Sequence, residues 1–323
     1  MSADLSTPTR ARLGRGAAGA PRSVRVAGWV SLVTEILIIG TGGAVRLTGS
    51  GLGCKWPLCA PDSLVPVPGM SFHSYVEFGN RMMSGVVGLA ALAVLLLVWR
   101  MRKERRDLFT LAWIVIGGVL LQALMGGVTV LSHLNYDVVG SHFLISMILI
   151  IVAAVFVARA PLAPGPRRWA APRWIVGMTH TAAVLTALTL ILGVVTSESG
   201  PHSGNADVRH HLFNAVVMAH VHSGPAYALL AVSIVLVIGM ARARLRPLGW
   251  SIGLLVLLLI QIPLGIYQAR DGLPAVAIES HMLLAALITA TMAILVMRLR
   301  VPAAAPGPEA PTTQDSPAAA PVR

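Results

Sequence analysis

Gln122-Ala-Leu-Met-Gly126 and Gln261-Ile-Pro-Leu-Gly265 occupy equivalent settings. A histidine follows each Gln at the same interval: Val139-Gly-Ser-His142 for the first, Glu279-Ser-His281 for the second. In both copies the Gln lies in an apolar run, the glycine comes four residues later, and a short polar loop leads to a His that opens another apolar run. The copies are offset by 139 residues without a gap. Such a repeat predicts a duplicated helical bundle with one histidine at the same place in each half.

The surrounding composition sets the solvent of that bundle. The chain is 55% apolar and 12% charged, with a mean hydropathy of +0.75, which excludes an ordinary soluble domain. Eight apolar stretches are long enough to cross about 30 Å of hydrocarbon: 26–45, 76–99, 108–130, 138–158, 174–196, 212–240, 248–268 and 276–297. The fold class is therefore all-α and polytopic, eight transmembrane helices arranged as two pseudo-symmetric four-helix bundles. The first stretch lacks a small-residue cleavage site and leads directly into further spans, so it reads as a span and not as a cleaved signal peptide.

The formal charge of +12 orients the chain. Basic residues collect in the N-terminal segment (Arg10 to Arg25), in the loops at 100–106, 159–173 and 242–246, and at Arg298, Arg300 and Arg323. Arg46, Lys55, Arg81, Arg209 and Arg270 lie at or near the other side. This is the positive-inside pattern, with both termini cytoplasmic, and it argues against nucleic-acid binding. The domain reading is 1–25 basic segment, 26–160 N-terminal bundle, 161–173 linker, 174–300 C-terminal bundle and 301–323 tail. The tail is rich in Pro and Ala and reads as disordered.

With that orientation the polar groups gather at the outer face. His142 and His281 sit at the outer ends of spans four and eight, and His220 and His222 lie two to three turns into span six. Polar residues at bundle depth are costly and usually functional, and imidazole is a natural axial ligand for haem iron in a helix bundle. The bland alternative for a single His is capping or interfacial packing. His220 and His222 point to different faces, so only one can share an iron with His281; alignment with the repeat favours His222, with His220 as alternative. In the N-terminal half the matching position is Asn80, a poor ligand, so that half offers one firm His and no obvious second. His73 precedes its span and is a weak substitute.

Glu77 lies one turn before Asn80 and Arg81, where an acid can move a proton or stabilise a developing cation; an i,i+4 ion pair with Arg81 is the structural alternative. Glu35, in mid-span, must be protonated, bonded or part of a proton path. Cys54 and Cys59, the only cysteines, share an outer loop. A disulfide is expected there, either a staple or a redox-active pair, and the spacing is wrong for covalent haem attachment.

Thr41-Gly-Gly-Ala-Val-Arg-Leu-Thr-Gly-Ser-Gly-Leu-Gly-Cys54, followed by Trp56-Pro57 and Cys59, resembles the first outer loop of the haem A synthase family. Glu77-Phe-Gly-Asn-Arg81 resembles that family's Glu-x-x-His-Arg motif, and Val139-Gly-Ser-His142, Thr196-Ser-Glu-Ser-Gly-Pro-His202 and Glu279-Ser-His281 fit the rest, over nearly all of 26–298. The resemblance implies a haem b cofactor held by His222 (or His220) and His281 in the C-terminal half. It implies substrate haem O in the N-terminal half, near Glu77, Asn80, Arg81 and His142, and oxidation of a haem O methyl to a formyl group. It implies a bacterial plasma-membrane enzyme, surrounded by lipid, that serves terminal oxidase assembly. Its partners would be a haem O synthase, an electron acceptor of unstated kind and a second copy of itself in a homo-oligomer. Asn80 stands where the family usually has His and implies altered ligation of the substrate haem. The competing readings are a haem-b electron carrier, which should carry two complete His pairs, and a haem chaperone or transporter that binds without oxidising.

Overall fold

The computed structural model describes residues 19–200 and 213–303. Eight helices dominate: α1 (Arg22–Leu47), α2 (Phe72–Trp99), α3 (Arg106–Leu131), α4 (Tyr136–Arg159), α5 (Arg173–Glu198), α6 (Ala215–Arg242), α7 (Leu248–Arg270) and α8 (Ala275–Arg298). All eight are long and apolar enough to cross a membrane. Most run a few residues beyond the apolar stretches, because intrahelical hydrogen bonds remain the simplest way to satisfy the backbone as it leaves hydrocarbon. Arg22 and Arg25, at the end of the basic segment read as 1–25, belong to the first turn of α1.

Neighbours in sequence pack as pairs, α1 with α2, α3 with α4, α5 with α6 and α7 with α8; α2–α3 and α6–α7 contacts close each half. The halves meet through α1, α4, α5 and α8. Small side chains allow that approach: Ala153, Ala154 and Ala158 of α4 face Ala286 and Ala290 of α8, with Leu32, Ile150 and Ile294 between them. Without a hydrophobic drive between helices in lipid, such close packing is what holds spans together. The C-terminal half has its own core, in which Ile175, Leu236, Met240, Leu254 and Leu295 are buried. Leu89, Leu96, Leu120, Leu124 and Val256 point outward and are exposed, as a lipid-facing surface requires.

A two-stranded sheet joins the linker before α5 to the end of α8, on the side that carries the basic loops. β1 (Arg167–Trp169) pairs antiparallel with β2 (Arg300–Pro302), and the Arg300 guanidinium lies 4.2 Å from the Trp169 ring centre. β2 takes in the first two residues of the segment read as a tail, 301–323; residues 304–323 lie outside the described residues. Three-residue strands leave no period to read, so the pairing had no sequence signature. Nearby, Arg105 is buried and donates to Asp107 Oδ1 (3.0 Å), Asp107 Oδ2 (3.2 Å) and the Arg159 carbonyl (3.2 Å).

Candidate functional site

At the opposite end the C-terminal half is open inside. A cavity of about 600 Å³ lies between α5, α6, α7 and α8, within the range of small-molecule and cofactor sites. His222 and His281 line it from α6 and α8. Their ring centres are 6.4 Å apart, with the planes at 67°. Two metal–imidazole bonds of about 2 Å in line, with each nitrogen about 1 Å from its ring centre, require about 6 Å. His222 Nδ1 lies 3.0 Å from the Thr189 carbonyl; donating to it leaves Nε2 as the nitrogen for the cavity, the way a second group usually fixes a ligand's tautomer. His281 Nδ1 is buried without a hydrogen-bond partner.

Each ring rests on a glycine. A Cβ on Gly193 would sit 3.0 Å from His222 Cε1, and one on Gly265 would sit 3.0 Å from His281 Cε1. Larger residues would displace the imidazoles. His220, two residues from His222, takes the other face. It is exposed, and its Nδ1 bonds the Val216 carbonyl of its own helix at 2.8 Å, although it touches the cavity rim. Arg46 reaches across from α1 to the Ser197 carbonyl (3.3 Å) and, with Arg270, also lines the cavity. Among the described residues no group of three or more His, Cys, Asp or Glu is placed to hold a bare metal ion. The donor set suits an iron whose remaining ligands come from a macrocycle.

The repeated glutamines serve the histidines from behind. Gln261 Nε2 donates to the His281 carbonyl at 3.1 Å, and Gln122 Nε2 donates to the His142 carbonyl at 2.9 Å. Gln122 also bonds Ser146 Oγ, which itself donates to the His142 carbonyl at 3.0 Å. Each Gln thus staples the start of a His-bearing helix to its neighbour. This is the role of the recurrent spacing, which the sequence revealed without explaining. His142, like His281, has a buried Nδ1 without a partner. In the N-terminal half Asn80 is fixed by Thr41 Oγ1, which donates to its Oδ1 at 2.7 Å.

Glu77 is buried at 5% exposure and both its oxygens are engaged. Oε1 pairs with Arg81 at 2.6 Å, and Oε2 accepts from the Cys54 backbone N–H at 2.7 Å. Arg81 continues to the carbonyls of Pro57 (3.2 Å) and Cys54 (3.4 Å). Ser74 Oγ donates to the Gly53 carbonyl (2.7 Å), Trp56 packs on Gly127 of α3, and Leu134 packs on Gly51. The first long loop is thereby strapped over α2 and α3, closing that end of the N-terminal half. His73 joins the strap through Nδ1 and Ser50 Oγ (2.9 Å).

Cys54 and Cys59 form a disulfide within the strap. Opening it with Cys59→Ser is expected to cost about 2 kcal/mol, the chain-entropy value for so short a loop; the midpoint of thermal unfolding checks this. Gly53 has no freedom to grow, because a Cβ there would lie 2.5 Å from the His73 backbone carbonyl. Gly53→Ala is expected to cost about 1–3 kcal/mol through backbone displacement and to speed reduction of the disulfide, measured as thiol release under a mild phosphine.

Two of the remaining polar residues have local partners. Glu35 Oε1 accepts from Ser31 Oγ at 3.1 Å, deep in α1 and apart from the cavity. His180 bonds the Val176 carbonyl (2.8 Å) and stands edge-on to Trp169 at 5.5 Å. His202, Arg209, His210 and His211 lie outside the described residues. Sequence reasoning missed Thr189, Thr41, Gly193 and the reach of Arg46, all of which act through a neighbouring helix.

A family model described as COX15-CtaA, cytochrome oxidase assembly protein, matches residues 25–293. Proteins named heme A synthase from Bacillus cereus (strain AH187), Bacillus anthracis (strain A0248) and Bacillus thuringiensis subsp. konkukian (strain 97-27) are each 36% identical over 125 residues. The matched segment covers 37% of this chain and 40% of each relative.

Proposed function

Because the chain belongs to the COX15-CtaA family of cytochrome oxidase assembly proteins, we propose that it is a haem A synthase, oxidising the methyl group of haem O to a formyl group. The observation that carries this is the pair His222 and His281, facing each other at 6.4 Å across the cavity. The partial overlap with named heme A synthases agrees with it. His222 and His281 would hold haem b, which when bound supplies a one-electron couple. Thr189 orients the first ring, Gln261 fixes the helix start of the second, and Arg46 with Arg270 offers positive charge for the haem carboxylates.

The N-terminal half would take haem O on His142, whose position Gln122 and Ser146 secure. Asn80 and Arg81 flank that site. The strapped loop excludes water from its end of the bundle. Glu77 at the inner surface of the strap is the candidate to accept a proton or stabilise positive charge as the methyl carbon is oxidised. An electron acceptor in or at the membrane would take up the electrons of the oxidation. In this reading the chain sits in a bacterial plasma membrane with both termini cytoplasmic and the haem sites toward the outer face, an orientation that the charge pattern supports. A haem O synthase is the natural donor, and a homo-oligomer is compatible with the long apolar faces.

Mass-spectrometric identification of haems extracted from protein purified out of cells that supply haem O tests the proposal. Haem b together with haem O, a hydroxylated intermediate or haem A supports it. Haem b alone at two per chain replaces it with an electron carrier, and absence of haem overturns it.

A further inference from the structure

We propose that the N-terminal site binds its haem iron through His142 alone and leaves the opposite axial face open to a small exogenous ligand, beside an Asn80 that hydrogen-bonds but does not coordinate. This rests on the reading that each half binds a haem.

The two halves repeat their contacts as well as their sequence. In the C-terminal half Gly193 of α5 lies against His222 of α6, and Gly265 of α7 against His281 of α8. In the N-terminal half Gly42 of α1 lies against Asn80 of α2, and Gly126 of α3 against His142 of α4. Asn80 therefore holds the place of His222, and His142 that of His281. The carbonyl that orients His222 belongs to Thr189, four residues before Gly193. Four residues before Gly42 is Ile38, whose carbonyl meets Thr41 Oγ1 at 3.2 Å, while the same hydroxyl sits 2.7 Å from Asn80 Oδ1. In the C-terminal half a backbone carbonyl anchors the neighbouring helix, whereas in the N-terminal half the Thr41 hydroxyl does so by donating to Asn80 Oδ1.

The consequence is chemical. A carboxamide is a far weaker donor to iron than imidazole, and it is shorter, so it stops short of the place the His222 ring reaches. Asn80 is also tied back toward α1 by its oxygen, which leaves the NH₂ as the group available to a bound ligand. The glycine clearances agree: 3.9 Å at both Asn80 and His142, against 3.0 Å at both histidines of the C-terminal pair. The looser site suits a haem that arrives and leaves, and an open iron face suits exogenous chemistry.

Full-length protein saturated with hemin, reduced with dithionite and exposed to carbon monoxide provides the test, with electron paramagnetic resonance on the ferric form. The expected result is one carbon-monoxide-reactive haem per chain and a matching high-spin signal. Asn80→His should abolish both while keeping the haem count, and Asn80→Ala should retain both. His222→Ala should make any haem left in the C-terminal half reactive. Two low-spin haems inert to carbon monoxide in the unmodified protein would overturn the single-ligand proposal and leave the two-site reading standing. A haem count unchanged by His142→Ala would show that no haem binds in the N-terminal half, overturning both.

Discussion

His281→Ala should strip the C-terminal half of haem b while the eight-helix fold persists. The ring lies at the mouth of α8, over Gly265 and opposite His222. Its Nδ1 is buried without a hydrogen-bond partner, so removing the ring orphans no side-chain partner. The backbone carbonyl to which Gln261 donates survives the substitution, so the staple between α7 and α8 remains. What disappears is a ligand. Loss of a merely orienting group near a metal costs about 10–100-fold in affinity, and loss of the ligand itself should exceed the upper end of that range. Haem b per chain, measured as the pyridine haemochrome after detergent purification, should fall to background. Gln261→Ala, which removes only the staple, should retain haem with affinity about 10-fold weaker. Full haem content and an unchanged spectrum in His281→Ala would remove the basis for the C-terminal haem site.

The contrast between these two substitutions shows what the sequence disclosed. The spans, the doubling and the histidines were readable because hydropathy and spacing are local properties of the chain. The same offset that aligned Gln122 with Gln261 aligned His142 with His281, and the structure places each Gln against the carbonyl of its own His. Thr189 was not readable, since one hydroxyl residue among several in α5 becomes distinct only when His222 packs against its carbonyl. Gly265 stood out in the repeat but its place under the His281 ring did not, and Gly193 lay among 31 glycines. The choice between His220 and His222 hung on register, which a helix wheel leaves open by one residue in either direction. Packing separates them, with one ring across from His281 and the other turned to Val216. The small sheet at the basic end could not be anticipated from two three-residue segments far apart in the chain.

Glu77→Gln and Glu77→Ala should divide the chemistry of this residue from its anchoring. The carboxylate joins Arg81 to the Cys54 N–H, so alanine leaves a buried donor without its acceptor, a loss of about 1–3 kcal/mol. The strap should loosen in Glu77→Ala, and a mild phosphine should reduce Cys54–Cys59 several-fold faster than in the unsubstituted protein. Glutamine keeps an oxygen of nearly the same reach for the Cys54 N–H but turns its NH₂ toward the Arg81 guanidinium, giving up the charge and the bond to Arg81. Disulfide accessibility in Glu77→Gln should therefore stay closer to that of the parent than in Glu77→Ala. Formation of haem A from haem O should nonetheless fall about 100-fold or more, the scale of a lost proton-transfer or charge-stabilising group. Both sites should still bind haem, because neither His142 nor the His222–His281 pair depends on Glu77. If Glu77→Gln instead makes haem A at the parent's rate with an intact strap, the acid is an anchor for the cysteine loop and nothing more. Activity that falls only together with faster disulfide reduction would place the effect in the strap's closure. Activity that falls while the strap holds would place it in the carboxylate.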